Sequence, residues 1–98
     1  MTRYASLSPP ARAELLEAAR YYGGESSALR ERFLAAFEAA LDQLEAHPMA
    51  GSVLRGETRR LLFRGFPYSF IYGVRGAEIR IYAVMHHHRR PSYWEGRR

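Results

Sequence analysis

The chain contains no cysteine and no lysine. Without thiols it can form neither a disulfide nor a thiolate nucleophile, which fits a reducing compartment. Without lysine it has no amine for general-base, Schiff-base or phosphate-loop chemistry. All fifteen basic residues are arginine. Cationic work therefore falls to guanidinium, which stays charged and grips carboxylate or phosphate bidentately, or to imidazolium. The alanine and glycine content beside this bias fits GC-rich codon usage. No apolar run approaches the roughly 20 residues that a bilayer-crossing helix needs. The start, Met1-Thr2-Arg3-Tyr4, has no apolar signal segment, so a cytoplasmic location and no membrane partner are expected.

Acids are scarce in one half only. Residues 1–50 hold five arginines against seven acids, a net of −2, whereas residues 51–98 hold ten against three, a net of +7. The overall charge of +5 is thus an asymmetry between halves and points to one working face. That half reads as a basic aromatic strip: Arg59-Arg60, then Phe66-Pro67-Tyr68-Ser69-Phe70-Ile71-Tyr72, then His86-His87-His88-Arg89-Arg90-Pro91-Ser92-Tyr93-Trp94. Such a surface suits phosphate, nucleic acid or an acidic protein partner. A length of 98 residues allows one small domain, residues 1–98, with one core.

Periodicity divides the chain in the same place. Ser8-Pro9-Pro10 reads as a helix start with Ser8 as N-cap, followed by Ala11, Leu15, Ala18, Ala19 and Tyr22 on one face. Gly23-Gly24 is expected to end that helix. Ser26 or Ser27 caps a second, with the stripe Leu29, Phe33, Phe37, Ala40, Leu41 and Leu44, stopped by His47-Pro48. The expectation is helices over 9–23 and 26–46, strands over 58–64, 68–74 and 78–86, and a further strand over 3–7. Alternation in the last strand places Ile79, Ile81, Ala83 and Met85 on one face and Glu78, Arg80, Tyr82 and Val84 on the other. Arg75-Gly76 falls where a tight turn belongs. The expected class is α+β: a helical hairpin packed on an antiparallel β-sheet in the order β-α-α-β-β-β. Leu29, Phe33, Phe37, Leu41, Ile79 and Ile81 are the expected core.

In this order and spacing the chain resembles the RelE/ParE superfamily of bacterial type II toxins, and within it looks ParE-like. The likeness rests on Ser8-Pro9-Pro10-Ala11, His47-Pro48 with Gly51, Arg59-Arg60 leading into Phe66 to Tyr72, and Ile81 to Pro91 followed by Tyr93-Trp94. It implies the toxin component of a toxin–antitoxin system, with an acidic antitoxin as partner in a hetero-oligomer. The leading reading is inhibition of DNA gyrase without catalysis by this chain. The alternative is RelE-like cleavage of mRNA on the ribosome, and a third reading is a degenerate member that only binds antitoxin. Some nuclease members carry arginine three residues before a tyrosine on the middle meander strand. Counted back from Tyr72, that position is Ser69.

Under the nuclease alternative the candidate catalytic residues are His88 as acid or base, with Arg60 and Arg89 holding phosphate. Candidate target- or partner-binding residues are Arg59, Arg60, Tyr68, His86, Arg89, Arg90, Tyr93 and Trp94. The aromatics among them serve equally well as packing residues. The triple histidine invites a metal, but adjacent strand residues face opposite ways and no cysteine or aspartate completes a ligand set, so neither metal nor cofactor is expected.

Overall fold

The computed structural model describes residues 4–90 and 92–97. Arg3 of the expected first strand and Pro91 of the family-like ending lie outside them. Strand β1 (Tyr4–Leu7) leads into helices α1 (Pro9–Glu25) and α2 (Ser27–Ala46). Strands β2 (Ser52–Arg55), β3 (Thr58–Leu62), β4 (Tyr68–Arg75) and β5 (Glu78–His86) follow, then a 3₁₀ turn over Glu95–Arg97. One five-stranded sheet runs in the order β1-β5-β4-β3-β2. The α+β order and the meander are as expected. Two features differ. β1 pairs parallel with β5, so the sheet is mixed. β2 is an additional strand, all four of its residues exposed, with no apolar alternation to betray it.

Local chemistry explains the helix limits. Ser8 Oγ accepts the Ala11 N–H at 3.3 Å and Ser26 Oγ accepts the Leu29 N–H at 3.0 Å, each cap contributing about 1 kcal/mol. α1 does not stop at Gly23-Gly24 but runs to Glu25, closing on a Ser26 N–H to Tyr22 carbonyl bond of 3.1 Å. A Cβ on Gly23 would meet the flexible side chain of Arg30 on α2, its Cδ at 3.0 Å.

The main core lies between helices and sheet. Phe33, fully buried, touches the rings of Tyr22, Phe63, Phe66 and Tyr68 at centroid distances of 5.1 to 5.9 Å. Ile79 and Ile81 are buried as expected; Leu29, Phe37 and Leu41 are half-buried on the flank. The expected facing of β5 fails at Tyr82. Ile71 pairs with Ala83 but Tyr72 pairs with Ile81, so β5 carries one extra residue, a β-bulge. Past it the alternation reverses. Val84 joins Ile79 and Ile81 under the helices. Ala83 and Met85 turn to the helix-free face, where they pack with Ile71 and Trp94 in a second cluster.

Candidate functional site

The basic aromatic strip is divided by the fold among three places. The first is a groove of about 420 Å³ between α1, the end of β5 and the C-terminal segment. Tyr68, His86, Arg89 and Tyr93, all anticipated as contact residues, line it together with Glu14, Glu17, Tyr21 and Tyr22, which were not. The Arg89 guanidinium lies 4.4 Å from the Tyr93 ring centroid and the Arg97 guanidinium 4.8 Å from it, a cation–π arrangement. Glu14 ties this corner together. Its Oε1 accepts the Val84 N–H at 3.1 Å and Arg97 Nη1 at 2.8 Å. That contact raises the Arg97 guanidinium above its ordinary value. Burial, followed by the neighbouring Glu14, pushes the Tyr93 phenol well up, so it remains a neutral hydroxyl.

The second place is the helix-free face. Trp94, 2% exposed, covers Ile71, Ala83 and Met85 and is core rather than contact surface. The segment carrying it is held by the ion pairs Arg97–Glu14 and Arg55–Glu95. On this face Ser69 Oγ stands 3.0 Å from His87 Nε2. Pairing of Arg60 with Ile71 and of Leu62 with Ser69 puts both side chains on the same face, as strand alternation requires. The third place is the opposite rim, where Arg60 and Arg64 border a second groove between α2 and β3.

Several anticipated residues have local duties. Arg59 Nη1 donates to the Gly51 carbonyl at 2.8 Å and the Met49 carbonyl at 3.2 Å. Tyr72 Oη donates to the Pro48 carbonyl at 2.7 Å and accepts the Gly51 N–H at 2.9 Å. Arg59 and Tyr72 thus clamp the loop after α2, and a Cβ on Gly51 would sit 2.6 Å from Tyr72 Oη. Arg80 likewise bonds the Ser6 hydroxyl and the Leu7 carbonyl. Arg90 is exposed. His88, Arg60 and Arg89 do not converge: Arg60 borders the α2 groove and Arg89 the α1 groove. His88 instead lies against His86, with ring centroids 4.9 Å apart and its N–H donating to His86 Nδ1 at 3.0 Å. The imidazole seated on the helix-free face is His87. Its bulge-dependent facing left no trace in the sequence.

His86 stacks edge-on to Tyr68 at 5.0 Å. Burial, and then the like charges of His88 and His87, lower its pKa from the ordinary 6.5. The unfolded chain therefore takes up this proton first as pH falls. Stability contributed by the neutral ring is complete above 6.5 and lost as pH drops toward the lower folded value. Thermal unfolding midpoints should fall between about pH 7 and pH 5, and His86→Gln should flatten that slope. An unchanged slope in the variant would remove His86 from the account.

With this geometry in place, comparisons with known proteins bear on it. No curated protein is similar to the chain in sequence. A solved structure of the chromosomal ParDE TA system from P. aeruginosa is 22% identical and covers 87% of this chain and 96% of its own, with a TM-score of 0.68, a likeness of fold. The family model for the ParE toxin of the type II toxin–antitoxin system parDE matches residues 5–91. That span runs from β1 through both helices and the whole sheet to the histidine-arginine ending, so the chain belongs to the ParE toxin family of type II toxin–antitoxin systems.

Proposed function

We propose that this toxin acts in the cytoplasm by binding DNA gyrase and inhibiting it, and that an acidic antitoxin neutralises it by covering its basic surface. Family membership implies the antitoxin; the gyrase target extends the ParE likeness. The observation carrying the non-catalytic reading is the helix-free face. Trp94 and its segment cover its centre, the middle strand offers Ser69 in place of a cation, and Arg80 is engaged with the Ser6 hydroxyl and the Leu7 carbonyl. In-line cleavage of a phosphodiester needs an acid, a base and cations around one phosphate. The deciding experiment is a supercoiling assay with purified gyrase and no ribosomes. Inhibition by the wild-type chain is expected, and intact supercoiling at saturating toxin would end the gyrase reading.

One observation favours RelE-like cleavage as a second reading. The Ser69–His87 contact holds an imidazole on the same face as Arg60. An imidazole there suits proton transfer at a ribose hydroxyl.

Neutralisation should be charge-assisted, so antitoxin affinity should fall with salt. Arg60→Glu is expected to slow association while leaving the fold intact. Arg59→Glu should instead lower stability, because it breaks the clamp on Gly51 and Met49. An Arg60→Glu variant with wild-type association kinetics would mean that the partner docks elsewhere.

A further inference from the structure

We infer that the groove between α1 and the end of β5 binds a guanine nucleotide, its base among tyrosines with the donor edge on Glu17 and its phosphate at Arg89 and His86. The inference goes beyond the toxin reading and does not depend on which target or antitoxin the chain meets.

Helical spacing builds one wall. Glu14, Glu17 and Tyr21 follow one another at three and four residues along α1 and so share one face. All three line the groove of about 420 Å³, a volume suited to one small organic ligand. The two carboxylates are not equivalent. Glu14 is engaged within the protein, by the Val84 N–H and by both terminal nitrogens of Arg97. Glu17 is exposed and, among the described residues, has no ion pair. Burial, then the charges of Tyr22 and Glu17, push the Tyr68 phenol up, so the Glu17 carboxylate lies within electrostatic reach of that ring. Tyr21 is 65% exposed, which leaves its ring available for stacking.

The opposite wall carries donors. Arg89 follows the end of β5, and its guanidinium lies 4.4 Å from the Tyr93 ring centroid. It too has no carboxylate partner among the described residues. His86 also lines the groove and accepts the His88 N–H at Nδ1 over 3.0 Å. A neutral imidazole that accepts at Nδ1 carries its proton on Nε2, so this ring offers a donor. The groove thus has an acceptor on its helical wall, donors on its strand wall and aromatic rings between them.

These three features select the ligand. A simple cation would meet the Arg89 guanidinium, and a simple anion would meet the Glu17 carboxylate. A fitting molecule has a planar ring, donors for a carboxylate and an anionic group. Among the common bases guanine presents a ring N–H and an amine side by side, which match the two oxygens of one carboxylate. Adenine and cytosine present an amine beside a ring acceptor that a carboxylate repels. Proteins read single bases in this manner, by stacking on aromatic rings and hydrogen bonding along one edge. The phosphate then falls to Arg89, whose forked donors suit it.

Titration of the purified toxin with GMP, followed by amide NMR and calorimetry, tests the site, with AMP, CMP, guanosine and inorganic phosphate as controls. Saturable shifts are expected at Ala18, Tyr21, Tyr68 and Arg89, with GMP bound at least about tenfold tighter than AMP, CMP or phosphate. Glu17→Gln should weaken GMP by about tenfold and erase its advantage over AMP. Arg89→Gln should weaken GMP by about tenfold and leave guanosine unchanged. Tyr21→Ala, at another exposed position, should weaken both. Absence of saturable binding at millimolar GMP would overturn the inference. Equal affinity for GMP, AMP and phosphate would do the same, since it would mean general attraction of anions to an arginine-rich surface. Wild-type affinity in all three variants, or shifts confined to Arg60 and Arg64, would place the nucleotide elsewhere and overturn the site.

Discussion

Trp94→Ala should cost about 3–5 kcal/mol, the range for truncating a fully buried large aromatic. The indole is 2% exposed and covers Ile71, Ala83 and Met85, a cluster that the helices do not reach. Single domains of this size have only about 5–15 kcal/mol of stability in total, so the variant should be marginal. Loss of the indole should also loosen the C-terminal segment, which the ion pairs Arg97–Glu14 and Arg55–Glu95 then help to hold. Partly solvated ion pairs of this type contribute about 1 kcal/mol or less. The expected result is a large fall in unfolding free energy with helix content retained, because the helix-side core around Phe33 is untouched. Binding of an apolar dye should rise as Ile71 and Met85 become accessible. A cost below about 1 kcal/mol would show that the segment lies on the sheet without contributing to its stability.

The histidine variants carry the other large effect. If the chain were a nuclease, removing its proton-transfer group should lower cleavage by about 10²–10⁴-fold. Two imidazoles are candidates: His88, favoured by position in the sequence, and His87, which stands 3.0 Å from Ser69 on the helix-free face. For a gyrase inhibitor, His88→Ala and His87→Ala should each keep much of the inhibitory potency, and no cuts should appear in ribosome-bound mRNA with the wild-type chain. The effects of the two variants also differ in kind. Both histidines are exposed; the His88 ring lies against His86, so His88→Ala is close to a pure chemical deletion. His87→Ala leaves the buried Ser69 hydroxyl without its imidazole and should carry a stability cost as well. Codon-specific cuts that vanish in either variant would sink the gyrase reading and promote mRNA cleavage.

Much of the fold was legible in local patterns. Ser8 and Ser26 act as the caps that their position before apolar stripes suggests, and Phe33, Ile79 and Ile81 are buried as their spacing requires. What escaped was set by partners distant in sequence. β2 is a strand because β3 lies beside it, since its own four residues are all exposed. β1 is parallel because α1 and α2 carry the chain across the sheet before β5 arrives. The site was legible as residue types but not as placement. Tyr68, His86, Arg89 and Tyr93 do share a groove, yet Glu14, Glu17 and Tyr21 complete it from a helix read only as scaffold. Arg59 looked like a free cation because nothing local reveals two loop carbonyls within its reach.

The extra residue at Tyr82 bears on how this chain can be compared with its relatives. A strand has two phases, and a one-residue gap exchanges them. A relative aligned without the bulge would match His87 to a side chain on the helical side and His86 to one on the helix-free side, reversing their surroundings while every letter still agreed. Equivalence of residues beyond Tyr82 therefore follows from pairing with β4, where Ser69 meets Met85 and Tyr68 meets His86, and not from counting along the chain. For the same reason, deleting one residue there should act as an inversion of the strand's end rather than a small shortening, sending Met85 under the helices and Val84 toward Trp94.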